Sequence, residues 1–273
     1  MNDSPNHTFI KGDICDGELV DSLMSGQDVV VNFAAESHVD RSIPGPAPFL
    51  QTNMVGTGVL LEAALRHGVP RFIQVSTDEV YGSVAEGFAP EDSPLDPSSP
   101  YSSSKAGSDL LALSYHTTFD YPVVVTRCTN NYGPYQHPEK VIPLFVTNLT
   151  DGKKVPLYGK GANERDWLYV EDHCSALHLL VEAPTAGEIY NIGANAQLPN
   201  LKLTQIILDA LGLDDSWIEL VPDRPGHDLR YAVDSSKVRG LGWAPQHDFE
   251  ERLAETIDWY STREDWWRPL KTA

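Results

Sequence analysis

The run "DVVVNFAA" (28–35) is apolar at almost every position. A strand with one wet face alternates apolar and polar residues. A near-continuous run marks a strand covered on both faces, as in a parallel sheet between layers of helices. Two further strand candidates follow, "RFIQVST" (71–77) and "PVVVTRC" (122–128), at intervals long enough to hold a crossover helix. The first interval holds "PFLQTNMVGTGVLLEAALRHG" (48–68), which ends in Gly68 with Pro70 beyond, a helix stop. The second holds "SPYSSSKAGSDLLALSYHTTF" (99–119), which opens on Ser and Pro, a helix start. The alternation predicts an α/β chain with a doubly wound parallel sheet. "HTFIKGDI" (7–14) reads as an earlier strand and "EIYNIG" (188–193) as one that rejoins the sheet. The second half is less regular, with helices expected over 141–152, 170–183, 203–212 and 249–265. We expect a nucleotide-type unit over 1–140 and 165–195, and a smaller mixed α/β substrate-binding unit over 141–164 and 196–273.

The 273 residues carry a net charge of -19, so no excess of cations exists to neutralise phosphates, and nucleic acid is not expected as a partner. No apolar run reaches the ~20 residues a membrane span needs. Three widely spaced cysteines, Cys15, Cys128 and Cys174, are not a disulfide framework and point to a reducing cytoplasm. No CxxC or HExxH spacing suggests a metal.

In open α/β sheets ligands bind at the carboxyl ends of the strands. Three small polar clusters are expected there: "AAESHVD", "STDEVYG" and "CTNNYGP". Tyr101 and Lys105 lie four apart at the start of a helix, hence on one face. A Lys ammonium beside a phenol lowers its pKa and makes it a base for a hydroxyl proton. Such a pair is common on helix surfaces and is weak evidence alone. Asp78 and Glu79 are adjacent at a strand end, which reads either as a solvated turn or as a divided acid and base. A regular strand sends neighbouring side chains to opposite faces, so both reach one substrate only if the chain turns there.

From about residue 9 to residue 234 the sequence resembles the extended short-chain dehydrogenase/reductases, and among them the dTDP-glucose 4,6-dehydratases. The resemblance rests on "GDICD", "VVNFAAESHVDRSI", "TNMVGT", "VSTDEVYG", "PYSSSKAGSDLL", "RCTNNYGPYQHPEKVIPLF", "VPLYGKG", "RDWLYVEDHCSAL", "YNIGA" and "DRPGHDLRYA". The Thr-Asp-Glu triplet sets it apart from related epimerases and decarboxylases, which are the alternative. The resemblance implies a Rossmann-like fold, NAD as cofactor, a nucleoside diphosphate hexose such as dTDP-glucose as substrate, and a homodimer packed through the helices at 48–67 and 101–119. It implies that Tyr101, with Lys105, takes the proton of the sugar 4-hydroxyl held by Thr77, that Glu79 removes the C5 proton, and that Asp78 protonates the departing 6-hydroxyl. Asp13, Ile14, Ala34, Ala35, Thr52, Ser76, Tyr101, Lys105 and Cys128 would follow the cofactor. Ser37, His38, Asn131, Lys140, Tyr158, Arg165, Asn200, Arg224 and His227 would hold the nucleotide sugar. Arg165 also has a plainer reading, a salt bridge to Asp166.

The family opens with a strand, a glycine-rich turn and a helix that together receive the cofactor pyrophosphate. No such turn precedes Asp13, and the resemblance begins at what is the family's third strand. We expect Met1 to be an internal start, the alternatives being a separate completing segment or a chain that binds nothing.

Overall fold

The computed structural model describes residues 4–182 and 185–271. The last residue of the helix expected over 170–183 lies outside them. After a turn in which Asp13 accepts from the Cys15 amide, Asp16 caps α1 (Gly17–Met24), and β1 (Val30–Asn32) follows. The short α2 (Val39–Ser42) leads to α3 (Ala47–Phe49), a π-helical segment Leu50–Gly56 and α4 (Thr57–Arg66). The single helix expected over 48–68 is thus one rod with a π insertion, and Gly68 beyond it takes the left-handed φ of 65°. β2 (Phe72–Thr77) runs into a 3₁₀ turn, Asp78–Tyr81. Ser99 opens α5 (Pro100–Phe119) with a capping box and Pro100 in the first turn. β3 (Val123–Cys128) and β4 (Asn130–Tyr132) follow.

Beyond them come α6 (Val141–Thr150), β5 (Val155–Tyr158), β6 (Glu164–Tyr169), α7 (Val170–Glu182) and β7 (Ile189–Ile192). The rest holds β8 (Gln197–Pro199), α8 (Asn200–Ala210), β9 (Ile218–Val221), α9 (Ser236–Gly240), α10 (Phe249–Thr262) and α11 (Glu264–Lys271).

The main sheet is wholly parallel in the order β1-β2-β3-β7, so the strand expected at 188–193 does rejoin it. Successive residues of β3 face opposite layers. Val123 and Val125 pack with Leu60, Leu61 and Ala112 of α4 and α5, while Val124 packs with Leu177, Leu180, Val238 and Trp243 on the other side. This two-sided cover is why the strand is apolar throughout.

Two expectations fail. Residues 7–14 form no strand, and Phe9 and Ile10 stand exposed. A strand exists only where its backbone groups meet a ladder, and no described strand runs beside this stretch. The helix expected over 249–265 is two helices that break at Arg263. The break folds Trp267 back so that its indole N–H donates to the Tyr260 carbonyl at 2.8 Å, and Trp267 is fully buried. The small sheets β4-β6-β8 and β5-β9 had no clear signature, because their three- to six-residue strands are too short for a period to show.

Candidate active site

Thr77 ends β2 in extended conformation, and its hydroxyl accepts from the Glu79 amide at 3.2 Å, closing the 3₁₀ turn. Three residues per turn separate neighbouring side chains by about 120° rather than the 180° of a strand, so the two acids no longer point to opposite faces. The far end of the turn is pinned inside the protein. The Tyr81 hydroxyl donates to Asn191 Oδ1 at 2.9 Å and accepts from Arg127 at 2.7 Å, and Arg127 pairs with buried Asp109 at 3.0 Å.

The two carboxyls occupy different surroundings. Asp78 is buried, Oδ1 accepts from the Thr77 hydroxyl at 3.2 Å, and Oδ2 has no hydrogen-bond partner among the described residues. Burial and the Glu79 charge hold its pKa well above the carboxylate range. Glu79 is half-buried and also pushed up by burial, but Arg224, Arg165 and Lys140 pull it back down. Asp78 is therefore the group kept protonated, and Glu79 the one more easily ionised.

Tyr101 and Lys105 stand in the first turns of α5, both buried. The Tyr101 ring meets Phe49 edge-on at 6.4 Å, and its hydroxyl lies beside Thr77. The expected lowering of the phenol pKa is reversed. Burial first, then the Glu79 and Cys128 charges, push it well above its ordinary value. The Lys105 ammonium donates to the Val75 carbonyl at 2.7 Å, and burial lowers its own pKa. Spacing puts the two residues in neighbouring turns of one helix, but it does not say how dry the surroundings of each will be. Cys128 lies at the end of β3 with its thiol donating to the Ser76 carbonyl, and burial pushes it up to about 12.

Above the acids opens a cavity of ≈ 230 Å³. Ser37, His38, Glu79, Lys140, Tyr158, Arg165, Asn200, Arg224 and His227 all line it. Lys140 donates to the Ser37 carbonyl at 2.5 Å, and Arg224 and Tyr158 reach the two oxygens of Asp40 at 3.4 and 3.1 Å. Asn200 Oδ1 and Arg224 Nε are buried without a partner among the described residues. Arg165 is not paired with Asp166, whose carboxylate instead accepts from the Asn195 and Ala196 amides. Its guanidinium donates to the Glu164 and Asp228 carbonyls and lies 4.1 Å over the Tyr231 ring, a cation held by neutral groups and aimed at the cavity. Asn131 is not brought to the cavity. Its amide is engaged by the Thr129 carbonyl and His173, and Asn130 lines the wall instead. Asp40, Glu139 and Tyr231 also line the cavity; all three lie inside the quoted motifs, but only contact reveals their place.

Of the residues expected on the cofactor side, Ala34, Ala35, Ser76 and Cys128 lie at the carboxyl ends of β1, β2 and β3. Ala34 and Ala35 follow β1, with the Ala34 amide donating to Asn32 Oδ1 at 3.1 Å. Thr52 lies in the π segment, Ser76 is the last residue but one of β2, Cys128 ends β3, and Asp13 is exposed beside half-buried Ile14, which packs on Gly56. The carboxyl ends of these parallel strands, with Tyr101 beside Thr77, form the kind of edge at which a dinucleotide such as NAD binds.

A family model described as GDP-mannose 4,6 dehydratase matches residues 1–256. The chain belongs to this family. Its relatives include a dTDP-glucose 4,6-dehydratase of Streptomyces antibioticus, 57% identical over 98% of this chain and 81% of that protein. Among solved structures, the dTDP-glucose 4,6-dehydratase DesIV of Streptomyces venezuelae, with NAD bound, superposes with a TM-score of 0.97 at 54% identity, over 98% of this chain and 83% of that one. The UDP-glucose 4-epimerase of Thermus thermophilus, also with NAD, gives 0.88 at 29% identity over 96% and 87%. The dehydratase family accounts for the parallel Rossmann-like sheet.

Proposed function

We propose that this chain dehydrates dTDP-glucose to dTDP-4-keto-6-deoxyglucose with NAD retained as cofactor. The observation that carries the reading is the unequal pair Asp78 and Glu79 in a capped 3₁₀ turn, beside Tyr101 and beneath a cation-lined cavity. NAD+, when bound, would supply the reversible hydride acceptor that the reaction needs. Tyr101 takes the 4-hydroxyl proton while Thr77 hydrogen-bonds that oxygen. Because burial and Glu79 hold the phenol protonated here, its base form depends on positive charge brought in with the ligands. Glu79 removes the acidified C5 proton and Asp78, held as the neutral acid, gives its proton to the leaving 6-hydroxyl. Arg165, Arg224, Lys140 and His227 face the diphosphate, and Tyr158 and Asn200 the nucleoside.

We assign residues 1–140 and 165–195 to the cofactor side and 141–164 and 196–273 to the sugar side, with Val238 and Trp243 reaching back onto the main sheet. Exposed Leu50, Val55 and Leu110 on the 48–67 and 101–119 helices support a homodimer packed as a four-helix bundle. Among the described residues no helix is long and apolar enough to cross a membrane; the three free cysteines support a cytoplasmic location.

The test is incubation with NAD+ and dTDP-glucose carrying deuterium at C4. The expected product has lost one water and carries the deuterium at C6. A C4 epimer, or a folded protein that forms no dehydrated product, overturns the reading.

A further inference from the structure

We propose that Asp228 is a positioning residue for Glu79: it takes the single hydroxyl hydrogen of Tyr231, so that Tyr231 turns an oxygen lone pair toward the Glu79 carboxyl. The inference rests on reading Glu79 as the base. Asp228 is buried, and its Oδ2 accepts from the Tyr231 hydroxyl at 2.9 Å and from the Ser98 hydroxyl at 2.5 Å. The same Tyr231 oxygen lies 3.4 Å from Glu79 Oε2. A phenol has one hydrogen to give, and the shorter contact to a carboxylate claims it.

The consequence falls on Glu79. Ionised, it meets a phenol oxygen with no hydrogen to offer. Protonated, it donates to that oxygen. The arrangement favours the state that exists after the C5 proton has been taken, so it makes Glu79 a stronger base. Arg224, Arg165 and Lys140 face the same carboxyl and favour its charged form, while Asp78 and Tyr101 lie beside it. Asp228 opposes the three cations, both through Tyr231 and by its own charge.

Asp228 is not free to turn away. Its backbone carbonyl accepts from Arg165 at 2.9 Å and Asn163 at 3.1 Å, and Arg165 covers the Tyr231 ring. Ser98 also reaches the Gly226 carbonyl at 3.1 Å. Gly226 has a φ of 66° and lies so close to Ser98 that an added Cβ would sit 2.7 Å from its carbonyl oxygen. The loop bearing Arg224 and His227 is thereby seated against the start of α5.

The test needs neither cofactor nor turnover, so its outcome is separate from that of the dehydration assay. The full chain is labelled with ¹³C at the glutamate side-chain carboxyls, and the Glu79 signal is assigned by its loss in Glu79→Gln. Asp228→Asn, whose amide offers hydrogens to Tyr231 and frees the phenol to donate to Glu79, lowers the proton affinity of Glu79 by about tenfold, one pH unit. Tyr231→Phe lowers it in the same direction. In the Tyr231→Phe background the effect of Asp228→Asn shrinks to less than half. An unmoved midpoint in Asp228→Asn overturns the proposal, and so does a shift of undiminished size in the Phe background, which would mean that charge acts alone. Should the Asn variant fail to fold, Tyr231→Phe, which loses a single hydroxyl, decides: an unmoved midpoint there sinks the idea.

Discussion

Thr77, Asp78 and Glu79 are consecutive residues in one capped turn, whereas Lys140, Arg165, Arg224 and His227 come from segments scattered through the second half of the chain. The turn is dry and held by the protein's own hydrogen bonds, with Tyr81 anchored to Asn191 and Arg127. The cavity above mixes charged side chains with apolar ones such as Leu144, Phe145 and Trp167, and buried atoms of Asn200 and Arg224 are unpaired there among the described residues. A proton-transfer pair needs low polarity and fixed spacing, which a short rigid segment at a strand end provides. A long, charged ligand needs donors spread over its length, which only several segments together can place.

That contrast can be broken by substitution. The largest effect is expected in the turn. Glu79→Gln or Asp78→Asn lowers kcat by about 100- to 10,000-fold with KM little changed, the loss typical of a missing acid or base. Steady-state kinetics checks it, and a change confined to KM would assign the acids to binding. Next come the cations. Arg165→Ala or Arg224→Ala weakens binding of the nucleoside diphosphate by about 10- to 100-fold, as for a lost charged hydrogen bond, and lets Glu79 hold its proton more tightly, since both cations favour its charged form. Calorimetric titration with dTDP reads the loss of binding directly.

A smaller effect separates stability from chemistry. Because burial raises the Asp78 pKa in the folded state, the folded chain holds that proton more tightly than the unfolded one. The cost of ionising it is absent below the unfolded value of about 3.9, grows as pH rises toward the raised folded value, and is fully present above it. Asp78→Asn removes a group that must stay neutral, so its gain in Tm over the parent should increase from pH 4 to pH 8. A gain that falls with pH would reverse the assigned direction. The smallest expected effect lies just outside the chemistry. Ser99→Ala removes the cap of α5 and costs about 1 kcal/mol, a fall in Tm of roughly 2–4 °C, with kcat unmoved. A loss of kcat there would show that the cap also places Tyr101.

The turn was legible because its signals are local: a strand end, two adjacent acids, and a Tyr–Lys pair in the next helix. Asp40, Tyr231 and Asp228 were not, although each lies inside a recognisable motif, because what sets them apart is contact with residues more than a hundred positions away. Asn131 was chosen over Asn130 because a motif fixes a stretch to within a residue, while the alternation of a short strand decides which neighbour faces the cavity. The strand read at 7–14 shows the limit of propensity, because "HTFIKGDI" has strand-like residues and no ladder to join among the described residues.

The sequence by itself determined the parallel sheet and its crossover helices, and marked Asp78, Glu79, Tyr101 and Lys105 as candidates for proton transfer. Those follow from periodicity and from chemistry carried by neighbouring residues. Tertiary structure decided the protonation of those groups. It put Asp78 and Tyr101 in surroundings dry enough to keep their protons, turned Lys105 toward a carbonyl, and left Glu79 among three cations. The cost of a charge depends on how much water and counter-charge surround it, and that is a property of the folded arrangement rather than of any stretch of chain.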